Sequence, residues 1–382
     1  MKVLILGGCG YIGSSTARDL VKAQTISKVR LADIDPRLER VHTSLRNNPK
    51  VSAEYIDITR DFAALVKLIK GHDLVLNCVG PYSQFGLTAA RAAIKAHVNY
   101  ADVCDDLEMT RRLFGLDGPA SKAGVCLCTG LGSVPGITNI LASYGAGKMD
   151  SVDEIEVHFL IALMDPIGKA GLTQAIGQFV GEVWQFLDGR LVRVPAGSEP
   201  QTVTFLEPFG KTDVYFARHP EPFTFPRFIP GVKRVINKAA FYPASTVKLF
   251  TEILRLGLFD DEPLKAGDGK ISPRDFIVSF LQRRPDLRSQ PGLKASLALN
   301  VTLHGRKDRA NAVLTYRSVG WGGRMTAIPA STGVQMLLEG KVKAKGVVAP
   351  EGAFDPAEFL RRMASRGIWT FEESTLMQEV RA

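Results

Sequence analysis

No stretch of this sequence approaches the ~18 consecutive apolar residues that a membrane-spanning helix requires, so no helical span is expected. The opening MKVLILGG has neither the longer apolar segment nor the small-residue cleavage site of a secretory leader; it reads as a β-strand. Cysteine is scarce: the five residues Cys9, Cys78, Cys104, Cys126 and Cys128 all fall in the first third. Their number is odd and no two are spaced CxxC, which argues against a disulfide framework or a zinc knuckle. Free, mostly buried thiols in a reducing cytoplasm are expected instead. The six histidines are scattered, with none paired at helical spacing, so no metal site is expected. The formal charge of +9 is not gathered into a stripe. Its basic stretches PGVKRVINK, LQRRPDLR and GKVKAKG lie far apart without interleaved aromatics, which argues against a nucleic-acid partner. A protein that handles small anions fits the charge better.

A chain of 382 residues is too long for one core of typical size, and two domains are expected. Up to about Gly130, short β-branched runs (KVLIL, KVRLAD, VSAEYID, DLVLNCV, VNYADV, VCLCTG) alternate with helically spaced stretches. These stretches are Ile12 to Ala23, Pro36 to Asn47, Thr59 to Lys70, Thr88 to His97 and Leu107 to Ala123. Such alternation predicts right-handed βαβ units in a parallel, doubly wound sheet covered on both faces. Beyond residue 130 the texture changes. DEIEVHFLIA alternates like a half-exposed strand, TQAIGQFVGEVWQFLDG reads as a helix, and HPEPFTFPRFIPG reads as too irregular for a regular element. STVKLFTEILRLGLF and SPRDFIVSFLQ are predicted helices with serine N-caps. LALNVTLHGRKDRANAVLTYRSV predicts an antiparallel hairpin around a polar turn. The predicted fold is therefore α/β in three parts: a Rossmann domain over 1–130, an α+β domain on a mixed or antiparallel sheet over 131–330, and a C-terminal segment over 331–382. The helices of that last segment, STGVQMLLEG and DPAEFLRRMASRG, are expected to return to the first domain.

Gly8, Gly10 and Gly13 form G-x-G-x-x-G directly after the strand VLIL and at the opening of the helix YIGSSTARDLV. Gly8 is expected to permit the tight turn, Gly10 to let the backbone approach a pyrophosphate, and Gly13 to let the helix pack on the strand. Three glycines alone also make an ordinary turn. Context separates the two readings. Asp33 falls twenty residues after Gly13 and closes KVRLAD, where a carboxylate accepts from ribose hydroxyls and repels a 2′-phosphate. A dinucleotide site is thus expected on Gly8, Gly10, Tyr11, Ile12, Gly13, Asp33, Ile34, Asp57 and Ile58, with NAD favoured over NADP. Arg37 and Arg40 stand near enough to rescue a 2′-phosphate, and Asp33, like Asp35, also reads as a turn opener. Asp57 carries two equal readings, the adenine edge and a cap on a helix starting near Thr59.

The ordered set HDLVLN…PY, Y-x-D and G-x-x-PGI-x-N resembles the saccharopine dehydrogenase-like family of NAD(P)-dependent oxidoreductases. Within it, LADID and PGITNILASYGA look most like bacterial lysine 6-dehydrogenases, while HPE, LGLF and GRKD are similar to the carboxynorspermidine dehydrogenase branch. The resemblance is strong over residues 1–146 and patchy beyond. It implies a Rossmann domain, an α+β domain for substrate binding and homodimerisation, and reversible hydride transfer at a carbon bearing nitrogen in an amino acid or its imine. Tyr82 matches the family tyrosine at the mouth of the active site. Val134 stands where saccharopine-forming members carry aspartate, so the resemblance ranks lysine ahead of saccharopine as substrate.

That chemistry asks the protein to place two carbons and manage one proton. Tyr82, Asp102 and His219 are the catalytic candidates, and Asp105 and Arg218 the substrate-binding ones. Asp102, Asp105 and Asp106 crowd together after the fifth strand, where like charges raise a pKa. DDLEMTRRL equally reads as a helix start whose carboxylates meet the dipole. His219 stands beside Arg218 and Glu221; a His–Glu pair suits proton handling, and a lone histidine suits a structural role. Arg218 offers a planar fork to a substrate carboxylate. GRKD, through Asp308, reads as the hairpin turn. Two other functions remain open: a carboxynorspermidine-type or saccharopine substrate, and a sensor that holds the dinucleotide without turnover.

Overall fold

The computed structural model describes residues 1–37, 41–162, 168–243, 252–254, 256–260, 262–284, 292–308 and 310–377. Arg40 and most of the helix predicted in STVKLFTEILRLGLF lie outside them.

Six parallel strands open the chain: β1 (Lys2–Leu6), β2 (Lys28–Asp33), β3 (Val51–Tyr55), β4 (Leu74–Asn77), β5 (Asn99–Asp102) and β6 (Cys126–Cys128). The helices between them are α1 (Tyr11–Leu20), α2 (Thr43–Arg46), α3 (Phe62–Lys70), α4 (Tyr82–Ala96), α5 (Leu107–Phe114) and α6 (Asp117–Lys122). The strand order is β3-β2-β1-β4-β5-β6, doubly wound about the β1–β4 switch point. β1 has no polar face because both sides are covered: Val3 and Ile5 join a core with Ala17 and Leu20 of α1, while Leu4 and Leu6 join one with Leu65 and Ile69 of α3. Several predicted boundaries differ, among them the start of α4, at Tyr82 rather than Thr88. The stretch Leu107 to Ala123 is two helices, parted after Phe114. Helix α3 begins at Phe62, where the Asp61 carboxylate accepts from Ala64 N. Of the stretch from Pro36, the described helix is only α2.

After α7 (Ile137–Ala146) comes a mixed sheet built from β7 (Ser151–Ile161), β8 (Glu182–Leu187), β9 (Arg190–Pro195), β10 (Gln201–Thr204), β11 (Lys211–Phe216), β12 (Arg234–Phe241), β15 (Leu297–Lys307), β16 (Ala310–Gly320) and β18 (Phe371–Met377). A two-stranded ribbon, β13 (Leu264–Ala266) and β14 (Gly269–Ile271), stands apart. At the centre β7 runs parallel to β12 and antiparallel to β15. The predicted helix over 173–189 is only half helix. α8 (Lys169–Gly177) is followed by Gly181 at φ +71°, and then the aromatic and β-branched run EVWQFL forms β8. The reverse holds for the stretch read as irregular. It forms α9 (Glu221–Phe228), because Pro222 sits in the first turn, where its missing N–H costs nothing. α10 (Pro273–Arg283) starts as predicted, with the Ser272 hydroxyl accepting from Asp275 N.

The chain then returns to the first domain. α11 (Gly322–Leu338) lies along α1, tied by the Ser331 hydroxyl donating to Asp19 Oδ2 at 2.7 Å. Position 331 therefore falls inside one continuous helix. β17 (Gly346–Val348) extends the parallel sheet beyond β6, and α12 (Pro350–Ala353) and α13 (Pro356–Ala364) pack on α7. The last strand, β18, crosses back to pair with β16 in the second sheet.

Candidate active site

The glycine turn is built somewhat differently from the sequence expectation. Gly7, not Gly8, takes the left-handed conformation (φ +69°), and its N–H donates to Ala32 O at 2.8 Å. Gly8 is bare because the turn presses on β2: a Cβ there would stand 2.7 Å from Leu31 Cα. A Cβ on Gly13 would overlap the Gly7 carbonyl oxygen, so α1 closes directly onto the turn. This cradle stands at the amino end of α1, and the positive end of the helix dipole there fits the phosphates of a dinucleotide.

Around it the other cofactor candidates separate. Asp33 ends β2, with Oδ2 accepting from Cys9 N at 3.1 Å and Oδ1 from Asp35 N at 3.3 Å, so the carboxylate also ties the turn. Ile34 stands 68% exposed beside it. Arg37 is held by both oxygens of Asp35. Ile58, by contrast, is buried in the core with Leu65 and Ile69, which removes it from the cofactor candidates. Asp57 accepts from Thr59 N and Oγ1, and these bonds hold its carboxyl below the usual value. It shapes the turn before α3 and caps no helix.

A cleft of about 370 Å³ opens from this turn, between the carboxyl ends of β1 and β4 and the second sheet. Its floor is Gly10, Tyr11, Ile12 and Gly13, and Tyr82 opens α4 at one side. Val134, Phe159, Ile161 and Leu297 give it an apolar wall, and Asp105, Gln178 and His219 a polar one. Three predicted site residues take other positions or duties. The Tyr82 hydroxyl donates to Asn77 O at 2.7 Å and accepts from Val103 N, while burial pushes the phenol well above its ordinary pKa. It bridges β4 and the end of β5, with its proton engaged by Asn77 O. Asp102 is fully buried, accepting from Tyr100, Cys104 N, Thr129 and Gly130 N. Burial raises its pKa, and these four bonds make it a brace rather than a cleft residue. Arg218 turns away to donate to Val180 O, outside the cleft lining. Asp106 caps α5 through Met109 N at 2.7 Å.

What the fold does bring together is Asp105, His219 and Glu221. His219 Nδ1 faces Glu221 Oε2, its Nε2 lies 3.4 Å from Gln178 Nε2, and Phe159 packs edge-on against the ring. Burial would raise the Glu221 carboxyl, but the His219 charge and hydrogen bonds from His219 and Thr138 hold it below its usual value. Asp105, on the cleft wall, is pushed up to about 6 by burial, with His219 pulling the other way. Behind Glu221, Asn139 Nδ2 donates to Glu351 Oε2 at 2.8 Å, and burial pushes Glu351 up to about 7. Gln178, Phe159 and Glu351 escaped the sequence reading. Thr138 and Asn139 were visible in PGITN, but nothing local points to Glu351.

Residues 3–127 match the family model described as saccharopine dehydrogenase NADP binding domain, and residues 174–368 the one described as saccharopine dehydrogenase C-terminal domain. The chain belongs to the saccharopine dehydrogenase-like family of oxidoreductases. A nicotinamide dinucleotide is accordingly its cofactor class. Among curated relatives, the trans-acting enoyl reductase of Mycobacterium ulcerans is 26% identical over 161 residues, 40% of this chain and 38% of that protein. The match thus spans well under half the length of such relatives. Carboxyaminopropylagmatine dehydrogenase of Synechocystis sp. is 23% identical over 404 residues, 96% of both chains. The saccharopine dehydrogenase (L-Glu forming) of Saccharomyces cerevisiae shares the fold, with a TM-score of 0.73 at 17% identity over 98% of this chain and 99% of that one.

Proposed function

We propose that this protein moves hydride reversibly between a nicotinamide dinucleotide and a carbon bearing nitrogen, in an amino acid or related amine and its imine. The observation that carries this reading is the placing of Asp105 and His219 on one wall of the cleft that starts at the glycine turn, with Glu221 behind the His219 ring. When bound, the dinucleotide supplies the hydride donor or acceptor; proton handling and positioning fall to the chain. Asp105, near neutral at about 6, takes the proton of the amine as a carboxylate and returns it as an acid. His219, held at Nδ1 by Glu221, presents its ring to the cleft on the same wall as Asp105. The apolar wall of Val134, Phe159 and Ile161 excludes water and receives the substrate's carbon chain.

The end-to-end likeness to carboxyaminopropylagmatine dehydrogenase supports a dehydrogenase of amine-bearing substrates. Within that class we place lysine first and saccharopine second, on Val134 and the lysine 6-dehydrogenase resemblance. NAD is proposed ahead of NADP because Asp33 closes β2 and Arg37 is committed to Asp35. A cytoplasmic homodimer is proposed as the working form. The edge strand β18 and its approach leave Trp369, Phe371 and Leu376 more than half exposed, which supports a self-association surface there. A second reading, reduction of a carbon–carbon double bond, is favoured by the apolar wall together with the likeness to the enoyl reductases.

The test follows absorbance of the reduced nicotinamide at alkaline pH with lysine, saccharopine, a carboxyaminopropyl amine and an enoyl thioester. Lysine-dependent reduction of NAD is expected. Turnover of the enoyl thioester with every amine inert would overturn the C–N assignment. The Asp33→Ser variant should lose about tenfold or more in NAD affinity, since a charge-assisted bond disappears. Unchanged binding of NAD and NADP would mean that Asp33 only ties the turn.

A further inference from the structure

At the carboxyl half of α1 lies a second cavity of about 440 Å³, between α1, α11 and the end of α13. Arg18 comes from α1, Lys22 from the turn after it, Arg324 from α11, and Arg366 from the turn after α13. Arg366 is fixed: Nη1 lies 3.3 Å from Asp19 Oδ2 and donates to Thr332 at 2.8 Å, and Nη2 donates to Gln335 at 3.1 Å. Its charge is thereby met by Asp19, the carboxylate in the lining. The other three cations are not met. Among the described residues no carboxylate lies within salt-bridge distance of Arg18, Lys22 or Arg324, and all three are exposed. Arg324 is nonetheless oriented, because its Nη2 donates to the Arg366 carbonyl at 2.7 Å.

A helix dipole explains only part of this. Arg18 and Lys22 stand at the carboxyl end of α1, where cations are favoured. Arg324 is in the first turn of α11, where a cation is disfavoured, and still it joins the other two. Like charges converging over a cavity floored by Ala23, Ala327 and Ile328 repel one another until an anion enters.

We propose that this cavity binds a compact, multiply charged anion, phosphate- or carboxylate-based, held by Arg18, Lys22 and Arg324. Guanidinium forks suit both kinds of oxyanion, and three unmet cations call for more than one negative charge. The ligand would clamp α11 to α1 next to Gly323, the neighbour of Arg324, which packs against Tyr11 in the cleft floor.

Calorimetric titration of the full-length protein tests this, with a dinucleotide at saturation so that the glycine turn is occupied. Inorganic pyrophosphate and citrate are the probes. Saturable one-to-one binding of either is expected, and the arm that binds tells phosphate from carboxylate. The Arg18→Gln/Arg324→Gln double variant should bind that probe about tenfold or more weakly. Both positions are exposed, so the variant should keep the wild-type melting temperature and dinucleotide affinity. Lys22→Gln provides an independent variant and should weaken binding in the same direction. Three results would overturn the proposal: no saturable heat with either probe, the same affinity in the double variant, or a short oligonucleotide that binds more tightly and displaces both anions. None of these outcomes depends on whether the enzyme turns over an amine.

Discussion

His219 Nδ1 lies 3.2 Å from Glu221 Oε2, and at 1% and 0% exposure neither side chain reaches bulk water. A carboxylate so placed fixes the ring orientation and favours a proton on Nδ1, leaving Nε2 toward Gln178 and the cleft. Glu221→Gln preserves shape but removes the charge, and its amide replaces one of the two oxygens that accept from Thr138 and Asn237. Turnover should fall about 10- to 100-fold with KM little changed, and His219→Asn should cost about 100-fold or more. Steady-state kinetics of both variants at wild-type melting temperature would show it; undiminished kcat would return the pair to a structural role.

Asp105 sets a pH signature. Its carboxyl, pushed up to about 6, is protonated below that pH and a base above it. Oxidation of an amine should therefore rise through pH 6 and imine reduction should fall through it. The Asp105→Asn profile should lack that limb. An inflection near 6 that survives the substitution would assign it to another group.

Glu351 predicts a change in stability. Its folded value of about 7 lies above the ordinary glutamate value, so on raising pH the unfolded chain ionises first. Stability should fall as pH rises toward 7 and level off above it. Glu351→Gln removes this slope, and the difference between variant and wild type should move in the variant's favour by on the order of 3 kcal/mol between pH 4 and pH 8. Urea midpoints at the two pH values measure it, and parallel curves would contradict the assignment.

Gly323 should be intolerant of a methyl group for a specific reason. A Cβ there would overlap the Tyr11 ring, whose residue forms part of the cleft floor. Gly323→Ala should displace Tyr11 and raise the Kd for the dinucleotide about fivefold or more, at about 1 kcal/mol in stability. Fluorescence titration with NADH would detect the change. Wild-type affinity would mean that the ring relocates without disturbing the cradle.

Much of this was legible in local pattern. The apolar runs VLIL and LVLN, with helically spaced stretches between them, specify a covered parallel sheet, and the glycines mark the tight turn from β1 into α1. What local pattern misassigned were side chains whose duty depends on distant partners. Asp102 and Tyr82 occupy the expected strand ends, yet Thr129, Gly130, Asn77 and Val103 take up their polar atoms. Arg218 adjoins His219 in sequence but faces Val180. Glu351 meets Asn139 across more than half the chain, a proximity that no spacing rule encodes.

The pairing of β17 with β6 has a consequence for synthesis. The parallel sheet acquires its outer strand only when Gly346–Val348 follows Cys128 out of the ribosome, roughly 10–40 s later at ordinary elongation rates. Until then the backbone of β6 presents an open edge, and the α1 surface that α11 will cover is bare. The nucleotide-binding half is thus translated first but completed nearly last, and a chaperone shielding the β6 edge would serve this chain during that interval.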